Sequence, residues 1–235
     1  MYSLHRQFGA SLYDMKLFKY CLIILLFLLL AANLYAQEKS TLCEGSNVII
    51  SYAEIDDYHI ACQAVKDIIS LAQKIQLQED LSISLTFVDR LVINQTGKSL
   101  AIFNPNSMEI QVLSIDNCKK IFGNGAVLGQ SIDLELYRSI IIHELAHALF
   151  WLNKGNNNIA REIHEYFAYT IQLASLSESI REQIILSSNV SAFSNREEIT
   201  EEYYLLNPTR FAVKSYLHFI NAEHDWPYLK RLLEE

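Results

Sequence analysis

Residues 133–152 read DLELYRSIIIHELAHALFWL, an apolar segment with two histidines in its second half. Asp133 is a suitable N-cap, so the sequence predicts a helix that begins there and ends near Leu152. His143 and His147 are four residues apart. Four residues of helix turn about 400°, so both imidazoles project from nearly the same face, about 6 Å apart along the axis.

The residues around these histidines are apolar. They are Ile140, Ile141, Ile142, Leu145, Ala146, Leu149 and Phe150. Ionisable groups inside a buried helix need partners, and one metal ion would supply a partner to His143 and His147 together. Two imidazoles on one face can fill two corners of a zinc tetrahedron, and Glu144 can then take a proton from a metal-bound water as it attacks a carbonyl. The HExxH pattern therefore predicts one Zn²⁺ per chain.

A catalytic zinc site needs a third protein ligand. The next predicted helix, over residues 159–176, carries three candidates: Glu162, His164 and Glu165. Here the sequence resembles the gluzincin metallopeptidases, in which the helix after HExxH supplies a zinc-binding glutamate at comparable spacing. The block HEYFAY at 164–169 looks like that glutamate-centred block. The resemblance implies that Glu165 is the third ligand and Glu144 the general base.

The resemblance covers about residues 95–235 and has further implications. It implies a zinc metallopeptidase with a peptide or protein substrate. Residues 100–103 stand where gluzincins have an edge strand that pairs with an extended substrate. Gluzincins also use a downstream Tyr or His to stabilise the oxyanion, and we select Tyr216 or His218 for that catalytic role. Some gluzincins have an aspartate four residues after the glutamate ligand, where this chain has Tyr169.

The rest of the chain predicts an α+β fold. The first half has apolar, β-branched or alternating segments typical of strands, an amphipathic helix and a hairpin around a turn at 104–107. The second half is almost entirely helical. Strands are expected at 47–53, 82–88, 100–103 and 109–113, and helices at 56–77, 114–122, 133–152, 159–176, 177–187, 195–205, 209–222 and 226–234. We expect a small strand and helix layer followed by a mostly helical half, a minimal zincin-like domain over residues 37–235.

The N-terminus has the pattern of an export signal. An apolar run covers residues 17–34. Lys16 lies just before it, Lys19 lies near its start, and Ala36 follows it. A cleaved signal peptide over residues 1–36 is predicted, which implies a periplasmic or secreted protein. An uncleaved anchor in the inner membrane, formed by residues 17–34, is the alternative.

Charge and cysteine content restrict the partners and the compartment. Without residues 1–36 the chain has 16 Lys and Arg against 26 Asp and Glu, and this acidic balance argues against nucleic-acid binding. Export permits a disulfide among Cys43, Cys62 and Cys118, whose pairing the sequence leaves open. Two other functions are considered: a catalytically silent zincin-fold binding protein, and a membrane-anchored interaction protein.

Overall fold

The computed structural model describes residues 20, 39–91, 99–122, 127–154, 158–221 and 226–233. The predicted signal peptide or anchor over residues 1–36 lies outside the described residues except for residue 20. Among the described residues, no helix has both the length and the apolar character needed to cross a bilayer. The described residues from Lys39 onward belong to one compact unit.

The described strands form one mixed sheet. They are β1 (Lys39–Leu42), β2 (Ile49–Tyr52), β3 (Ser84–Val88), β4 (Ala101–Asn104) and β5 (Glu109–Leu113). Their order across the sheet is β1-β2-β3-β5-β4. The three inner strands are parallel, and both edge strands run antiparallel to their neighbours. The predicted hairpin is confirmed as β4 and β5, with Ala101 opposite Val112 and Asn104 opposite Glu109.

Along the chain, the described helices lie between and after the strands. They are α1 (Ile55–Lys74), α2 (Ile115–Phe122), α3 (Leu134–Asn153), α4 (Arg161–Ala174), α5 (Glu178–Ser188), α6 (Glu201–Leu206), α7 (Pro208–Asn221) and α8 (Trp226–Arg231), with a 3-10 turn at Arg196–Glu198. The predicted fold class is therefore confirmed: an α+β chain whose sheet lies on the N-terminal side and whose C-terminal half is helical.

Helix α3 occupies the centre of this arrangement. It contacts α1, α4, β4 and β5, while α4 also packs against α7. The helix begins as predicted, because the Asp133 side chain accepts a hydrogen bond from the Leu136 N–H at 2.8 Å. Most of α3 is buried in the main apolar core, which explains why its sequence is apolar on nearly every side.

Apart from shifted element boundaries, two parts of the sequence-based assignment were wrong. Strand β1 was not predicted, because it is a short, fully exposed edge strand with little apolar patterning. The helix expected over 195–205 is divided into the 3-10 turn and α6. The Asn195 and Thr200 side chains each accept a backbone hydrogen bond, from Glu198 and Tyr203 respectively, so each residue caps a separate segment.

Candidate metal centre

His143 and His147 lie one turn apart on α3 and point to the same place. Their Nε2 atoms are 3.1 Å apart. Their ring centroids are 4.7 Å apart and the rings meet edge to face. This separation follows from the four-residue spacing within a regular helix, as the sequence predicts.

Glu165 joins the two histidines from α4. Its Oε2 atom lies 3.6 Å from His143 Nε2 and 3.8 Å from His147 Nε2. These three residues form a potential metal-binding group within the part of the chain that the structure describes. The candidate ligand set drawn from the sequence is therefore brought together in space by the packing of α3 against α4.

The triangle of donor atoms has the size that zinc needs. Zinc bonds to nitrogen and carboxylate oxygen are about 2.0–2.2 Å long, so two ligands of a tetrahedral ion lie about 3.3–3.6 Å apart. The three edges here are 3.1, 3.6 and 3.8 Å. Two imidazole nitrogens and one carboxylate oxygen also form a donor set of the kind found in catalytic zinc sites. The residues therefore fit the ion.

Burial makes these three groups costly to hold without a partner. His143 and Glu165 are buried, 9% and 8% exposed, and His147 is half-buried, with 16% of its side chain exposed. Burial lowers the pKa of His147 to about 3. Burial would also lower the pKa of His143, but the contact with Glu165 and the charge of Glu144 outweigh it and raise that pKa. Burial would raise the pKa of Glu165, but both histidines lower it to about 2. Glu165 is therefore an anion facing two nitrogens, as a cation site requires.

Glu144 lies beside the three candidate ligands and turns toward the edge of the sheet. Its Oε2 accepts a hydrogen bond from the Phe103 N–H of β4 at 2.8 Å. The side chain is 9% exposed, and burial raises its pKa to about 7. The hydrogen bond to β4 holds the Glu144 carboxylate next to the histidines but outside the triangle of donor atoms.

Two tyrosines that we did not select lie at the site. The Tyr169 ring is 4.4 Å from the His143 ring. Burial raises the pKa of its hydroxyl well above the ordinary value, and the charges of Glu165 and Glu144 raise it further. The Tyr204 hydroxyl approaches the Glu165 carboxylate as a hydrogen-bond donor. Tyr169 could have been found from its spacing, because it is four residues after Glu165 on the same helix face. No local signal marks Tyr204, which reaches the site from α6.

Tyr216 and His218 lie in other surroundings. Tyr216 packs in a second apolar cluster with Leu173 and Ile184, and the Arg181 guanidinium lies 5.5 Å from its ring. The His218 Nδ1 is 2.8 Å from the Tyr166 hydroxyl. Both side chains therefore contribute to the packing of α7 against its neighbours, whereas Tyr169 and Tyr204 lie near Glu165. The positions of Tyr216 and His218 thus give no support to the oxyanion role that we predict for them.

One buried atom of the site is left without a partner. His143 Nδ1, on the side of the ring opposite the ligand triangle, has no hydrogen bond at normal geometry among the described residues. Gln172, one turn beyond Tyr169 on α4, is close enough to act on the pKa of this ring. The ring therefore has one nitrogen in the donor triangle and one buried nitrogen without a hydrogen bond.

Comparison with known proteins identifies a family. No curated protein and no solved structure matches the chain. A family profile, described as a family of unknown function (DUF6639), matches residues 48–235. The matched segment begins just before β2 and includes β4, α3 and α4 with all the residues of the candidate site. The chain belongs to the DUF6639 family of unknown function.

Proposed function

We propose that this protein is a zinc-dependent hydrolase, and more narrowly a gluzincin-like metallopeptidase, with His143, His147 and Glu165 as the metal ligands. The observation that carries the proposal is the donor triangle with edges of 3.1, 3.6 and 3.8 Å, next to a separately held carboxylate. Three protein ligands leave a fourth position for a reactant, which is the difference between catalytic and structural zinc sites.

Zinc in such a site would lower the pKa of a water molecule toward neutrality and polarise a carbonyl. The protein must supply the proton transfer. Glu144 is suited to this because it follows a ligand in sequence and its carboxylate is fixed by the Phe103 N–H. We assign to it the removal of a proton from the attacking water and the delivery of that proton to the leaving group.

The edge of the sheet supports a peptide as the substrate class. The Leu113 N–H donates to the Leu100 carbonyl at 2.9 Å, so residues 100 and 113 form a hydrogen-bonded pair. Alternation along β4 then directs the N–H and carbonyl groups of Ala101 and Phe103 away from β5. The Phe103 N–H already donates to Glu144 and the Ala101 carbonyl already accepts from Ser99, so a peptide would pair with the Ala101 N–H and the Phe103 carbonyl. An extended peptide that added to this edge would pass directly beside Glu144.

The disulfide supports the export that residues 1–36 predict. Cys43 and Cys62 are joined by a disulfide, which resolves the pairing that the sequence left open. Disulfides persist in oxidising compartments such as the periplasm and the extracellular space. We therefore propose that residues 1–36 are a cleaved signal peptide and that residues 37–235 act outside the cytoplasm.

The test is the variant Glu144→Gln, assayed for zinc content and for cleavage of a mixed peptide library. We expect zinc to be retained and cleavage to fall by about 10²- to 10⁴-fold, since general base catalysis contributes an effect of that size. Glu135→Gln makes the same chemical change in the first turn of the same helix and is the control. It should cleave peptides at the parent rate.

Two outcomes would contradict the proposal. If Glu144→Gln cleaved peptides at the parent rate, Glu144 would not be the general base. A zinc-loaded parent protein that cleaves no peptide in the library would exclude the peptidase and favour a silent binding protein of the same fold.

A further inference from the structure

Helices α3 and α4 enclose a short row of buried polar side chains behind His143. Ser139 lies one turn before His143 on α3, and Gln172 reaches Ser139 from α4 and lies near enough to the His143 ring to raise its pKa. Ser139 is 1% exposed and Gln172 is 3% exposed. Polar groups buried this deeply are expected to be hydrogen-bonded, so their bonds can be traced one by one.

The trace begins at the Leu136 carbonyl. The Ser139 hydroxyl donates its only proton to that carbonyl at 2.7 Å. The Ser139 oxygen can then act only as an acceptor toward a third group. The Gln172 Nε2 lies 3.3 Å from that oxygen and donates to it. The amide is therefore held with its NH₂ group toward Ser139.

The orientation of the amide determines what His143 meets. With Nε2 committed to Ser139, the free end of the Gln172 side chain is the oxygen Oε1, which only accepts hydrogen bonds. The atom left without a partner on the neighbouring ring is His143 Nδ1. Gln172 acts on this ring as a hydrogen-bond acceptor does, and an acceptor beside a buried ring nitrogen favours the tautomer in which that nitrogen carries the proton.

We propose that Ser139 and Gln172 are positioning residues that hold His143 as the Nδ1–H tautomer. Its Nε2 lone pair is thereby directed into the triangle with His147 and Glu165. The inference rests on the proposed zinc site and adds residues that touch neither the metal nor the substrate. It also explains how the site functions with Tyr169, which is not a carboxylate, at the position four residues after Glu165.

The first test measures zinc affinity by competition with a chelator in the full chain. Gln172→Met has similar length but no acceptor, and we expect it to weaken zinc binding about 10- to 100-fold, the usual effect of losing a partner of a ligand histidine. Ser139→Ala should cause a smaller loss in the same direction. Gln172→Glu keeps an acceptor and should bind zinc about as tightly as the parent.

Thr170→Val is the matched control. The Thr170 hydroxyl is on the same helix, is fully buried and has no partner among the described residues, so its removal alters the same core without touching the row. It should leave zinc affinity unchanged. If Gln172→Met bound zinc as tightly as Thr170→Val, the positioning role would be refuted.

The second test needs no metal and separates this inference from the proposed function. In zinc-free protein at alkaline pH, Glu165 faces Nε2 of the neutral His143 ring and competes with Gln172 for its single proton. Heteronuclear NMR of the imidazole nitrogens should therefore show that Gln172→Met moves this proton from Nδ1 toward Nε2, and that Ser139→Ala has a smaller effect in the same direction if Gln172→Met does not fold. A proton distribution in His143 that Gln172→Met leaves unchanged would overturn the inference. A parent that binds no zinc but shows this shift in the variant would overturn the proposed function and leave the positioning role standing.

Discussion

The donor atoms of His143, His147 and Glu165 are held close together in a buried site, where each affects the protonation of the others. The pKa of His143 is raised and that of His147 is lowered to about 3, so a proton is favoured on only one of the two rings. A cation between the three donor atoms would remove this competition, since it takes the place of the shared proton. The same closeness that disfavours the metal-free site would suit the small divalent ion that we propose for it.

Tyr204 is predicted to strengthen this site through its contact with Glu165. Tyr204→Phe removes the donor, and a hydrogen bond to a charged group contributes about 1.5–3 kcal/mol, so zinc affinity should fall about tenfold or more. The control is Tyr203→Phe. Tyr203 is the adjacent residue, but its ring packs on Phe193 at 5.7 Å. Chelator competition should separate the two variants, and equal affinities would contradict the role of Tyr204.

At this scale, local spacing explains which residues could be predicted. His143, Glu144 and His147 fall within five consecutive positions of one helix, so helix geometry alone places them together. Glu165 required the resemblance to gluzincins, because its distance from the histidines depends on how α4 packs against α3. Tyr204 and Gln172 could not be predicted, since each reaches the site through packing between elements that the sequence does not specify.

Helices α3 and α4 were predictable as elements because their boundaries are chemically marked. The Asp133 cap starts α3, and the apolar face of α4 continues to Ala174 as its periodicity indicates. Helix α1 ends at Lys74, earlier than expected, because Gln76 adopts a left-handed conformation with φ 58°. The periodic pattern extends past the residue where the backbone leaves the helix, so it overestimates the length.

The start of α1 contains a buried acid that should make stability depend on pH. Asp57 is 6% exposed, and burial, together with Glu54 and other nearby acids, raises its pKa to about 6 from an ordinary value of 3.8. Between these two pKa values the folded protein binds a proton that the unfolded chain releases. The free energy of unfolding should therefore fall as the pH rises through this range and remain lower above it.

Asp57→Asn should abolish this loss, with a gain of about 1–3 kcal/mol in the free energy of unfolding at neutral pH. Urea unfolding of the parent and the variant, at pH values below and above this range, measures the two free energies of unfolding. Asp56→Asn, at the exposed neighbouring position, is the control and should keep most of the fall, because Asp56 is the weakest of the nearby acids that raise the pKa of Asp57. If the free energy of unfolding of the parent protein rose steadily between pH 3.8 and about 6, Asp57 would not have this effect.

On the scale of the whole molecule, composition and patterning predicted the α+β class, and they could not predict the order of the strands. The order β1-β2-β3-β5-β4 places β4 at an edge, and this position brings Phe103 to Glu144. Strand order depends on contacts between residues far apart in sequence, whereas patterning reports only which face of each element is buried. The edge position of β4 was expected only from the resemblance to gluzincins.

The disulfide should stabilise the whole unit without affecting the metal site. It joins Cys43, before β2, to Cys62 on α1, across a sequence separation of 19 residues, whereas the candidate ligands lie on α3 and α4. The double variant Cys43→Ser with Cys62→Ser should lose about 3 kcal/mol in the free energy of unfolding, as expected for closing a loop of this length. Zinc affinity should be unchanged.

Denaturant unfolding with and without a reductant provides the control. Reductant should destabilise the parent and leave the double variant unaffected. Cys118, which is buried with a free thiol whose pKa burial raises to about 12, should react with a thiol reagent only after unfolding. Equal stability of parent and double variant would contradict a stabilising role for the bond.

The central claim is that two helices of this chain form one zinc site, and elemental analysis of the full chain prepared without chelator tests it most directly. We predict one zinc per chain in the parent, a clear loss in Glu165→Ala, and parent-like zinc in Glu162→Ala, the control one turn earlier on the same helix. A parent that contains no zinc and takes up none when it is supplied, or a Glu165→Ala variant that retains it fully, would contradict the claim.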